Sequence, residues 1–412
     1  MVARPKSAEI RAAQRRTARF ACLALALALL SGCLGCQRSP QLGPSTRPRP
    51  NIVLISIDTL RADFLSPERM PLSYRWARRN GLIFTNAYAN STWTRPSHVT
   101  LLTGLLPHEH GVEYQDSVLP ADLPTIPVPL RDLGYFSCAS TGSGHVSDYV
   151  GMAKDFDQWV QVDNRPGPAY LATLLQPIER SQEILASVPT QPVFALVHTY
   201  YVHEYYLDES DFARRSFASL REWNMYRIDK ALSLQSPECA ERVRGRYAYR
   251  VAEFDAILAE YLEWLQHSPL ADNLCIIVTS DHGESLFESH LGTQVYGHMG
   301  APSPEKVRIP LVISGLGRGE VDDLVSLRDI PAIIVELARS GELVLPHNQS
   351  IESEYLTDVR SAGHKVRHTS VLHGDGTWVH ARSPGFSVDD RRQRPDLPQE
   401  HLDQLMALGY VQ

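Results

Sequence analysis

The sequence predicts an α/β fold in which a mostly parallel sheet is covered on both faces by helices, giving three layers. Three observations carry that expectation. Short continuous apolar runs, such as 52–57 (IVLISI), read as strands buried on both faces. Longer segments with apolar residues at helical spacing separate them, and strands alternating with helices imply a parallel sheet. A chain of 412 residues, 43% hydrophobic and 21% charged, can bury a large core and is not an intrinsically disordered polymer.

The elements follow in order. Residues 1–32 carry Arg4, Lys6, Arg11, Arg15, Arg16 and Arg19 against Glu9 alone, followed by an apolar run at 21–30. That run is too short to span a bilayer and suits a signal peptide. Its end, Leu30-Ser31-Gly32-Cys33, resembles a bacterial lipobox, which implies cleavage and acylation at Cys33. A signal cut near Cys36 and an uncut short anchor are the alternatives. The expectation is export to the bacterial cell envelope as a membrane-anchored lipoprotein facing the periplasm or exterior. Residues 33–50 then form a lipidated cysteine and a proline-rich tether. Without the basic leader the net charge moves from −7 to about −12, which argues against nucleic acid as a partner.

A catalytic domain is expected over 51–340. Its strands are 52–57, 136–140, 193–197, 275–278 and 310–314. Helices are expected over 242–266, where Val251, Phe254, Leu258, Tyr261, Leu262 and Leu265 recur at helical spacing, and over 330–338. A small α+β subdomain over 341–412 should hold a short antiparallel sheet, with 377–380 as one strand, and close on a helix at LMALGY. Cys138 and Cys275 sit in apolar runs as buried thiols, and no cysteine spacing indicates a disulfide framework or a zinc cage.

In parallel sheets the site forms at the carboxyl ends of strands, so the polar residues there matter most. Asp58 follows IVLISI, His198 and His203 follow VFALV, and Asp281-His282 follows CIIVTS. Carboxylates with an imidazole suit Mg, Ca or Mn and, less closely, Zn. Thr94 precedes a helix signalled by Pro96 and the apolar stretch 99–102. A hydroxyl beside a cation at a helix N-terminus is suited to attack on a phosphate or sulfate ester. Simple capping of that helix by Thr94 or Ser97 is the competing reading.

The segments PNIVLISIDTLRADFL, TWTRPSHVTLLTGLLPHEHGV and CIIVTSDHGESL followed by YGH resemble the sulfatase family of the alkaline phosphatase superfamily. The similarity runs through VFALVHTYYVHEYY, YAYRVAEFDAIL and VRIPLVISG, in the family's order over nearly all of 50–412. It implies an alkaline phosphatase-like three-layer α/β/α sandwich. It also implies one divalent metal held by Asp58, Asp281 and His282, with Thr94 on the same ion. His203 and His298 match positions that contact the anionic ester or serve the leaving group. His145 is a weaker match, and a solvent-facing loop histidine fits it equally. His98, His108, His110 and His198 fall to supporting or structural roles, and His290 to a further metal ligand.

Two departures redirect the chemistry. Sulfatases carry Cys or Ser, converted to formylglycine, where this chain has Thr94, and Arg where it has His98. No formylglycine is therefore expected. Threonine lacks the second hydroxyl that expels sulfate by re-forming an aldehyde, which moves the expectation toward phosphate or phosphonate esters. Thr59, where a second carboxylate is common, points to one principal metal. A hydrolase of an anionic ester of a glycan, lipid or small molecule is the leading reading. An envelope head-group phosphotransferase and a catalytically silent binding protein are the alternatives. The loops 161–190 and 205–240 should line the pocket, and Tyr200, Tyr201, Tyr205 and Tyr206 form either a stacking wall for a ring or, as aromatic clusters near strand ends more often do, core packing.

Overall fold

The computed structural model describes residues 49–162, 170–188, 190–207, 220–290, 293–359 and 364–385. The leader, Cys33, most of the tether and the LMALGY segment lie outside the described residues.

The strands in chain order are β1 (Asn51–Ile57), β2 (Gly81–Phe84), β3 (Ala87–Tyr88), β4 (Phe136–Thr141) and β5 (Gln158–Gln161). They continue with β6 (Val193–Thr199), β7 (Leu274–Thr279), β8 (Ser285–His290), β9 (Thr293–Gly297) and β10 (Leu311–Ser314). The last are β11 (Gly319–Val321), β12 (Val325–Ser326), β13 (Ser350–Val359), β14 (His364–His373) and β15 (Trp378–Gly385). Eight of them form the central sheet, in the order β11-β2-β10-β7-β1-β6-β4-β5. Pairing is parallel except that β10 runs antiparallel to β7 and β2.

Strand β1 shows why its sequence is mostly apolar on both faces. Val53, Ile55 and Ile57 enter the core on one face, with Val251, Phe254 and Leu258 of the Ala240–Gln266 helix. Ile52 and Leu54 enter the other, with Leu101, Leu102, Ile333, Ile334 and Leu337. A strand buried on both faces needs no polar alternation. Helices on both sides complete the expected three layers.

The strand and helix expectations hold within one or two residues, and the 242–266 helix is extended at its start to Ala240–Gln266. The C-terminal strand is longer than expected. Rather than 377–380, β15 covers Trp378–Gly385 in a three-stranded antiparallel sheet with β13 and β14. That sheet is hydrogen-bonded to the segment entering the Thr94–Thr103 helix. Ser353 Oγ donates to the Ala89 carbonyl at 2.6 Å and Ser91 Oγ to the Glu354 carbonyl at 3.2 Å.

Candidate active site

Three neighbouring strands end at one place. β1 lies between β6 and β7, with Ser56 opposite both His198 and Thr279, so Asp58 and Asp281-His282 leave the sheet side by side. Strand spacing of about 4.8 Å then brings their side chains together. The His282 Nε2 lies 3.4 Å from Asp281 Oδ2 and 3.8 Å from Asp58 Oδ1, and all three residues are fully buried.

The backbone enforces this. Thr59 adopts φ +61°, a left-handed conformation that costs about 1–2 kcal/mol in a non-glycine residue. It is held by Tyr247, which donates to the Thr59 carbonyl at 2.7 Å, and by its own N–H, which donates to Asp281 Oδ1 at 3.2 Å. Gly283 follows because nothing larger fits: a Cβ there would stand 2.1 Å from the Glu305 carbonyl oxygen.

Asp58, Asp281 and His282 form a buried group able to hold a metal ion, their ligand atoms all within 4.8 Å of one another. The fit is supported by what these atoms lack. Asp58 Oδ1 and Asp281 Oδ2 are buried with no hydrogen-bond partner among the described residues. Burial and the Asp58 charge raise the Asp281 pKa. Two adjacent buried carboxylates with unpaired oxygens are costly unless a cation joins them.

Thr94 opens the Thr94–Thr103 helix, whose N-cap, Trp93, makes no side-chain cap. The capping reading therefore fails for Thr94. Its hydroxyl instead donates to Asp58 Oδ2 at 3.1 Å and lies 3.4 Å from His282 Nε2. Behind it, His98 contacts the Thr94 carbonyl at 2.9 Å through Nδ1 and Ser56 Oγ at 3.0 Å through Nε2. His198 Nε2 stands 3.6 Å from Asp58 Oδ2. Burial lowers both imidazoles to about 4, so they flank the carboxylates as neutral rings.

His203 and His298 also reach the site. The His298 ring lies 4.5 Å from that of His282 and 5.4 Å from that of His203. The β8–β9 hairpin explains this, because pairing of Ser285 with Gly297 sets Glu284 beside His298, and Glu284 Oε2 lies 3.1 Å from His298 Nδ1. Burial alone would lower the His203 pKa, but Asp58 and the Glu204 carboxylate outweigh it and push it up to about 9. Glu204 is in turn ion-paired with the buried Arg227. His298 goes the other way, held well below its ordinary value by burial and by His282.

Two readings that the sequence left open are decided by the structure. His145 is not solvent-facing: it is fully buried, and its Nδ1 accepts from Arg95 Nε at 3.1 Å. Tyr200 and Tyr201 pack into the core, while Tyr205 and Tyr206 border a cavity of about 290 Å³ beside His203 and His298. The described part of 205–240 supplies much of that cavity's lining and the described part of 161–190 none of it. His108 and His110 lie outside the cluster, and the His290 side chain lies outside the described residues. Sequence reasoning noted Glu284 after Asp281-His282 without giving it a role, and missed Arg227. The DHGE string held a signal for the first, an ionisable residue two positions beyond His282.

Residues 50–340 match the family model described as Sulfatase. The chain is 25% identical over 281 residues to human N-acetylgalactosamine-6-sulfatase, covering 60% of this chain but only about half (53%) of that protein. It is 23% identical to choline-sulfatase of Rhizobium meliloti (strain 1021), over 74% of this chain and 73% of that one. Among solved structures, a 2-O GAG sulfatase superposes with a TM-score of 0.61 at 16% identity, over 82% of this chain and 85% of the other. The phosphonate monoester hydrolase of Agrobacterium radiobacter gives 0.59 at 18% identity, over 82% and 89%.

Proposed function

The chain belongs to the sulfatase family, and on that premise we propose that it hydrolyses anionic esters with Thr94 as nucleophile, phosphate or phosphonate esters ahead of sulfate. The observation that carries the reading is the Thr94 hydroxyl, 3.1 Å from Asp58 Oδ2 and 3.4 Å from His282 Nε2 at the first residue of a helix. A divalent cation (Ca, Mg or Mn, with Zn as the softer option) bound by Asp58, Asp281, His282 and the Thr94 oxygen would ease ionisation of that hydroxyl and offset the charge of the ester.

The protein's own groups divide the remaining work. The Thr94 proton leaves toward Asp58 Oδ2, and the oxygen attacks phosphorus, forming a covalent Thr94 ester as the alcohol departs. The positive end of the helix dipole stabilises the developing charge. His203, whose Nδ1 lies 3.3 Å from Glu204 Oε1, is the acid that protonates the departing oxygen. His298 is neutral, with Nδ1 held by Glu284, and is the base assigned to the water that cleaves the Thr94 ester. A threonyl ester cannot collapse to an aldehyde, so it must be resolved by attack of water, or of an acceptor alcohol, at phosphorus. That disfavours sulfate.

The test is turnover of matched aryl phosphate monoester, phosphodiester, phosphonate and sulfate by the metal-loaded protein. Thr94→Ala should lower the best activity by about 10³-fold or more. Undiminished activity in Thr94→Ala sinks the nucleophile assignment, and sulfate running fastest sinks the ester preference. We further propose lipidation at Cys33 and attachment to the bacterial envelope membrane. Membrane-fraction recovery that persists in Cys33→Ala would contradict it.

A further inference from the structure

The two histidines of the cavity each meet a glutamate through Nδ1, His298 with Glu284 Oε2 at 3.1 Å and His203 with Glu204 Oε1 at 3.3 Å. Glu204 is in addition gripped by Arg227, which comes from the Leu220–Leu232 helix. Four-residue spacing puts Trp223, Arg227 and Ala231 on one face of that helix. Trp223 and Arg227 are buried there, while Arg227, Ile228, Ala231 and Leu232 line the cavity.

A guanidinium taken fully out of water needs a partner that matches its planar fork. Arg227 finds one in both oxygens of Glu204, ion-paired through Nη2 to Oε1 and donating from Nε to Oε2 at 3.2 Å. Nη2 also donates to the Tyr206 hydroxyl at 2.8 Å, and the guanidinium carbon lies 5.6 Å from the Tyr170 ring centre and 6.0 Å from that of Trp223. A carboxylate held at both oxygens has a fixed plane, and with it a fixed direction of Oε1 toward His203. Burial alone would raise the Glu204 pKa, but Arg227 and His203 outweigh it and hold the group below its ordinary value. An ionised carboxylate only accepts, so Nδ1 of His203 carries a hydrogen, and a proton passed to substrate must come from Nε2.

We infer that Arg227 is a positioning residue for the leaving-group acid: its fork fixes Glu204, and Glu204 aims His203. The helix that walls the leaving-group cavity thereby also sets the acid. This rests on the hydrolase reading for the identity of that acid. In the step concerned the phosphorus–oxygen bond breaks, its electron pair stays on the departing oxygen, and the Nε2 proton moves to that oxygen. A leaving group stable as an anion needs the proton little, whereas a poor one depends on it. Misaiming His203 therefore costs most on the poorest leaving group.

The experiment compares kcat/KM of the metal-loaded protein on the phenyl and 4-nitrophenyl monoesters of phenylphosphonic acid. That quantity runs through departure of the alcohol and omits the later cleavage of the Thr94 ester. The phenyl-to-4-nitrophenyl ratio should fall about 10²-fold or more in His203→Ala and about tenfold in Arg227→Gln. The double variant Glu204→Gln/Arg227→Leu strands no buried charge. It should show a fall of similar size, and it carries the test if Arg227→Gln does not fold. An Arg227 that only supports the fold would lower both esters alike and leave the ratio at its native value. That result in either variant, with the ratio falling in His203→Ala alone, would overturn this inference and spare the acid assignment. A ratio unchanged in His203→Ala, or a native chain that turns over neither ester, would overturn the underlying reading and this inference with it.

Discussion

Two groups of metal-type donors in this protein look alike by distance and differ in every other respect. Asp58, Asp281 and His282 lie fully buried at the ends of β1 and β7, while His108, Glu352 and Glu354 lie where β13 meets the Pro107–His110 helix. In the second group the buried carboxylate, Glu354, is already satisfied. Glu354 accepts from the His108 N–H at 3.0 Å and from Arg367 at 2.9 Å, and its other oxygen lies 2.8 Å from His108 Nδ1. In the first, Asp58 Oδ1 and Asp281 Oδ2 have no such partner among the described residues. Proximity of ligand types is thus a weak criterion, and unmet buried acceptors are the stronger one. An internal cation already occupies the outer group's role in the form of Arg367.

The comparison breaks most directly on metal content. Asp281→Asn should remove the bound ion and lower turnover by on the order of 10³-fold or more, because it takes away a charged ligand at the reacting centre. Glu352→Gln should change neither the metal stoichiometry after dialysis nor turnover beyond about twofold. A second equivalent of metal that vanishes in Glu352→Gln would erase the distinction between the two groups.

The inner group was legible in the sequence, and the reason is geometric. Parallel strands place their last residues at a common edge, so Asp58, Asp281 and His282 could be found by reading one or two positions past each apolar run. Thr94 was legible through Pro96 and the helix it opens. The cavity was not. It combines a turn (Tyr205, Tyr206), the Leu220–Leu232 helix (Arg227) and both ends of the β8–β9 hairpin (Glu284, His298), whose meeting depends on tertiary packing. Thr59 was weighed only as a missing carboxylate, and no side-chain pattern signals its left-handed backbone. His145 was open between two readings because its partner, Arg95, is fifty residues away.

A second prediction concerns what holds the outer group together. Arg367 also pairs with Glu113, its NH2 donating to Oε2 at 3.0 Å, so removing it strands two largely buried carboxylates. Arg367→Ala should therefore cost about 3 kcal/mol in denaturant unfolding, by analogy with other broken buried pairs. Chelation of the metal should produce the corresponding loss at the inner group. With ligand at about 100 times its Kd, removal forfeits about 2.7 kcal/mol. The two perturbations act on separate groups and should add. If the Arg367→Ala protein is destabilised only in the presence of metal, the groups are coupled and the contrast drawn between them is wrong.

The smallest expected effect separates the two histidines of the Pro107–His110 helix. His108 is exposed and paired with Glu354, whereas His110 is buried, with Nδ1 accepting from the Val112 N–H at 3.0 Å and Nε2 lying 3.2 Å from Thr100 Oγ1. That geometry uses the neutral ring, and burial lowers its pKa to about 3. The folded state thus binds the proton more weakly than the unfolded state does. The stabilisation is complete above the unfolded value of about 6.5 and is lost progressively as pH falls toward 3. Between pH 6.5 and 5 the loss is about 2 kcal/mol for this residue. The metal-free protein is the right sample, because acid also strips metal from Asp58, Asp281 and His282. Unfolding free energy there should decline over that interval by about 2 kcal/mol less in His110→Gln than in the native chain. Equal declines would mean that His110 protonates in place, and that the buried ring carries no more acid sensitivity than its exposed neighbour.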